Sequence, residues 1–159
     1  MKNILVPTDF TVDALVILKK AIEQENEAHN FILVYGKHLP GSISELMFFS
    51  KSTLLSSLES KSFTEAKGIL KNRYASRIKT LRTAIFHGTN HSAFENFIKA
   101  NKIDKAYIPE NPKSLHPSIK KGFDLIPFIK KSGLELSLVA YNDHSQVNMD
   151  EVLAKLLVP

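Results

Sequence analysis

The chain has 159 residues, 43% of them hydrophobic, enough apolar material for one domain with a proper core. It holds no run of eighteen apolar residues, no leader with a small-residue cleavage site and no cysteine. The first two argue against a membrane span and a signal peptide and make a cytoplasmic protein the default expectation; the third excludes disulfides and thiolate chemistry without identifying a compartment.

The opening stretch Ile4-Leu5-Val6 is apolar without interruption, the pattern of a strand covered on both faces. Pro7 is expected to stop the ladder, and Thr8-Asp9-Phe10-Thr11 turns directly into an amphipathic segment. In open α/β sheets ligands sit outside the carboxyl ends of the strands, where the strand order reverses. Thr8 and Asp9 are therefore the first candidate site residues. Equally, Asp9 can serve the following helix locally and need no ligand.

Apolar spacing predicts a first helix over residues 12–25, with Thr11 as N-cap and Phe10 stapled on Leu15. A second buried strand, Phe31 to Tyr35, is closed by Gly36. Residues 37–50 read as a packed flap, greasy at Met47, Phe48 and Phe49. Helical spacing over 53–74 puts Leu54, Leu55, Leu58, Ala66, Ile69 and Leu70 inside, weakened by Gly68 and broken near Ser62-Phe63-Thr64. The formal net charge of +5 is concentrated here, in Lys67, Lys71, Arg73, Arg77, Lys79 and Arg82. No aromatic interleaving accompanies it, so it reads as a solvated face and not a nucleic-acid interface.

A third strand over 80–87 puts Leu81, Thr83 and Ile85 on one face. A turn at His87-Gly88-Thr89-Asn90 follows, then a helix buried through Phe94, Phe97, Ile98 and Ala100. Residues 103–109 form a fourth strand, 125–131 a helix with Asp124 as N-cap, and 134–141 the last strand. Strands alternating with helices imply a doubly wound, five-stranded parallel sheet in a three-layer α/β sandwich, first strand central and last strand at an edge. The domain spans residues 1–141. Residues 142–159 are a carboxyl-terminal extension with a short amphipathic helix, for which Asn148 with Glu151 fits a capping box. Lys155 to Pro159 echoes Asn3 to Pro7, which leaves open that a second domain begins there.

The segments Ile4 to Phe10, Ile85-Phe86-His87-Gly88 and Ile103 to Ile108 resemble the universal stress protein family, of the UspA-like kind, in sequence and order. The resemblance implies the fold of adenine-nucleotide-binding three-layer sandwiches. Members that bind ATP carry Gly, two residues, Gly, nine residues, then Gly followed by Ser or Thr. Counted back from Gly122, those positions hold Pro109, Pro112, Gly122 and Phe123. Proline offers no N–H to a phosphate and cannot take a positive φ, and phenylalanine offers no hydroxyl. The resemblance implies a base and ribose side at Thr8 and Asp9, with Gly36 where members carry a branched apolar residue.

The expectation is a degenerate site: a non-catalytic binding or assembly module in stress response that does not hold ATP in the family manner. No cofactor beyond weak AMP or ATP is expected of it. The alternative is a nucleotide-binding stress protein that takes AMP or ATP, with slow hydrolysis, through Thr8, Asp9, Gly36, Gly88 and Gly122 with a rebuilt phosphate loop. The resemblance also implies a homodimer through the edge strand, residues 134–141, from Leu134 to Tyr141. No metal site is expected: the six histidines include His87 and His91 four apart, but on a strand end and loop rather than one helix. No nucleophile elbow or acid–base partner for Asp9 is evident, so no catalytic residue is assigned.

Overall fold

The computed structural model describes residues 1–11, 14–37, 60–88, 90–110 and 122–140. The expected flap, Leu54, Leu55 and Leu58, Pro112 and the carboxyl-terminal extension lie outside them.

Strand β1, Asn3–Pro7, occupies the middle of the sheet, and its Ile4, Leu5 and Val6 are fully buried. It pairs in parallel with β2 (His29–Lys37) on one side and β4 (Lys105–Pro109) on the other. Strand β3 (Ile78–Phe86) adds beyond β2, and β6 (Glu135–Val139) beyond β4. The order is thus β3-β2-β1-β4-β6, five parallel strands reversing direction of growth at β1. The two-residue strand β5, Gly122–Phe123, was not expected; it pairs antiparallel with the end of β2.

Helix α1 (Leu15–Gln24) packs on α2 (Lys61–Arg73), and α3 (His91–Ala100) packs on α4 (Ile126–Lys131). Right-handed crossovers place these pairs on opposite faces of the sheet. The expected break at Ser62-Phe63-Thr64 is absent. Ser60 caps α2 by accepting the Phe63 N–H at 3.1 Å, and Phe63 is fully buried. Of the other α2 positions, Ala66 and Leu70 are buried and Ile69 is half-buried. In α3, Phe94 is buried but Ala100 is exposed, because it sits in the last turn.

A polar row pins register at the amino-terminal edge. Asn3 Nδ2 donates to the Lys102 carbonyl, Asn30 Nδ2 to Asn3 Oδ1 at 2.8 Å, and the Thr80 hydroxyl to Asn30 Oδ1 at 2.6 Å. These side chains tie the strand starts together in the same alignment as the backbone pairs Asn3↔Asn30 and Asn30↔Thr80.

Candidate functional site

Pro7 does not stop the ladder. It pairs with Val34, and the next N–H, that of Thr8, still donates to the Val34 carbonyl at 2.9 Å. Alternate residues of a strand turn their N–H groups to opposite sides. The donor that Pro7 lacks therefore faces β4, whose pairing with β1 runs no further than Leu5↔Ala106.

The turn that follows is tied to itself. The Thr8 hydroxyl accepts the Phe10 N–H at 3.1 Å, and Asp9 Oδ1 accepts both the Thr11 N–H at 2.9 Å and the Thr11 hydroxyl. Thr11 in turn accepts the Ala14 N–H at 3.2 Å, so it does cap the turn leading into α1. The helix proper begins at Leu15 and ends at Gln24, shorter than expected at both ends. Phe10 adopts φ of 64°, a left-handed conformation that few large side chains take. Its buried ring meets Tyr35 and Phe63 edge-on, at centroid distances of 4.9 and 5.4 Å. Phe10 and Leu15, the expected staple pair, belong to the same buried cluster.

Gly36 does not close β2, which continues through Lys37. It is paired on one side with Phe86 and on the other with Phe123. β1 occupies that second side as far as Pro7↔Val34, so β5 lies across the carboxyl end of β1. A Cβ on Gly36 would stand 2.8 Å from both the Phe123 ring and the Phe123 carbonyl oxygen. Phe123 thus rests directly on the glycine. Asp124 Oδ1 then accepts the Ile126 N–H at 2.9 Å, the bond expected of it, although the N-cap position falls to Leu125 and Asp124 stands two residues before the helix starts.

These groups leave little room. Thr8, Asp9, Tyr35, Gly36, Phe123 and Asp124, with Pro7 and Leu125, line a cavity of about 10 Å³, the space of roughly one water molecule. Among the described residues the lining carries two carboxylates and no basic side chain, a field that opposes phosphate. Burial, reinforced by the Asp9 charge, pushes the Tyr35 hydroxyl up to about 12.

The other expected site residues separate. Gly122 belongs to β5. Gly88 is a packing glycine: a Cβ there would stand 2.6 Å from the Ala93 Cβ and 2.7 Å from the Phe86 ring. Phe86 anchors an aromatic cluster with Phe94, Phe128 and Phe123 at 5.0, 5.6 and 6.0 Å. His87 is not among the described residues lining the cavity, and His91 meets Phe128 at a tilt, 5.2 Å between centroids. Among the described residues no group of three His, Cys, Asp or Glu converges as a metal site. Sequence reasoning missed the plug itself. Its signal was a pair of departures, a glycine where a branched residue is usual and a phenylalanine where a hydroxyl is usual, which compensate one another in volume.

No protein-family model and no curated protein matches the sequence. Solved structures do match. The hypothetical protein MJ0577 is similar with a TM-score of 0.54 and 22% identity, over 89% of this chain and 96% of that one. A universal stress protein in complex with cAMP gives 0.53 and 14%, over 89% and 98%. A universal stress protein family protein from Arabidopsis thaliana with AMP bound gives 0.50 and 8%, over 93% and 97%. The fold is that of the universal stress proteins. Within this universal-stress-protein fold, the turn carrying Thr8 and Asp9 faces the Phe123 plug across the small cavity.

Proposed function

We propose that this chain is a universal-stress-type protein that acts as a non-catalytic binding or assembly module in stress response, with its adenosine crevice closed. The observation that carries this reading is Phe123 of β5 seated on Gly36, which leaves about 10 Å³ beside Asp9. The competing reading is nucleotide binding through Thr8, Asp9 and Gly36. Two similar structures, one in complex with cAMP and one with AMP bound, favour it, as does the sharing of one cavity by these three residues. Calorimetric titration with ATP and AMP separates the two. Millimolar or absent binding supports the closed crevice; micromolar binding that Asp9→Ala abolishes supports the second reading.

Assembly is proposed through β6. The two sheet edges differ: β3 carries exposed Lys79 and Arg82, whereas β6 presents Leu138 at 56% exposure beside half-buried Leu136. Charged side chains blunt an edge and apolar ones invite a partner. A homodimer at micromolar concentration in sedimentation velocity supports this; a monomer contradicts it. No helix of the described residues is long and apolar enough to cross a membrane.

A further inference from the structure

A second cleft lies away from the crevice, where α1 and α2 end. Glu23, Arg73, Tyr74, Ser76 and Arg77 line a volume of about 430 Å³, within the range of small-molecule sites. We propose that this cleft binds a small oxyanion, held by the guanidinium groups of Arg73 and Arg77 and by the hydroxyls of Tyr74 and Ser76.

Three observations converge. Among the described residues neither guanidinium forms an ion pair with a carboxylate. Arginine is the side chain suited to two-point recognition of carboxylate and phosphate. Second, the Tyr74 hydroxyl is buried between Glu23 and Arg73, close enough to feel both, yet among the described residues it forms a hydrogen bond of full geometry with neither. A buried donor without a partner is rare and calls for one. Third, Glu23, the one carboxylate among the described lining residues, is paired with Lys19 at 3.7 Å, so the described lining stays cationic. Arginines near helix ends also complement the backbone dipole. Here that duty occupies a single bond, Arg77 Nη1 to the Glu23 carbonyl at 3.5 Å, and leaves the other N–H donors for a ligand.

The test titrates inorganic phosphate, and separately succinate, into the full chain while amide resonances of residues 73–78 are followed. Saturable shifts at millimolar concentration or below are expected, persisting at physiological salt. Arg73→Gln, at an exposed position, should weaken binding about tenfold, and Tyr74→Phe, which keeps the ring, should weaken it severalfold. Preference for phosphate assigns a phosphoryl ligand and preference for succinate a carboxylate. Failure of both probes to saturate, loss of all binding at physiological salt, or unchanged affinity in Arg73→Gln overturns the proposal.

Discussion

At Gly36 the nearest neighbours of an added Cβ are the ring and the carbonyl oxygen of Phe123, and a carbonyl held in a ladder cannot swing aside as a side chain can. Gly36→Ala should therefore lower stability by about 1–3 kcal/mol, as overpacking does, read by chemical denaturation. Gly68 makes the opposite case. It lies within α2 with nothing within 4 Å of an added Cβ, so Gly68→Ala should raise stability by about 0.5–1 kcal/mol. Tyr35 supplies a pH test. Unfolded, its hydroxyl titrates near 10.0; in the fold, burial and then Asp9 raise it to about 12. Between those values the folded state keeps a proton that the unfolded chain has lost. The contribution is complete below the lower value and lost as pH rises through the upper. Stability should thus fall more steeply across this alkaline window in the wild type than in Tyr35→Phe, and parallel curves would contradict it. Asp9 and Gly36 were legible as crevice residues because strand ends can be read from apolar runs. The seating of Phe123 on Gly36 was not, since it depends on a contact between distant parts of the chain.

The elements themselves were largely legible. Unbroken runs such as Ile4-Leu5-Val6 and Phe31 to Tyr35 are buried on both faces, and no helical period competes with them. What the pattern hid were polar ends. His29 and Asn30 belong to β2 because Asn30 joins the Asn3 and Thr80 row, while 134–141 contracts to Glu135–Val139. Ser62-Phe63-Thr64 reads as a break, yet Phe63 is fully buried and the Ser60 cap starts the helix just before it. β5 escaped notice because two residues carry no period at all. Asp124 links β5 to α4 through its bond to the Ile126 N–H. Asp124→Ala should cost about 1 kcal/mol in thermal unfolding and leave the secondary-structure spectrum unchanged.

For the whole molecule, the strand order β3-β2-β1-β4-β6 places the reversal at β1, the position where such sheets take ligands. In this chain β5 lies across that position. The same order leaves β3 and β6 as edges of unlike chemistry, and Leu138→Lys should convert a dimer to monomers in sedimentation without loss of fold. Whether the crevice is closed by Phe123 is tested most directly by titrating AMP calorimetrically into the wild type and Phe123→Ala side by side. No binding tighter than millimolar in the wild type, with a gain on removing the ring, is the expected result. Micromolar binding by the wild type, unchanged or weakened in Phe123→Ala and abolished in Asp9→Ala, would contradict it.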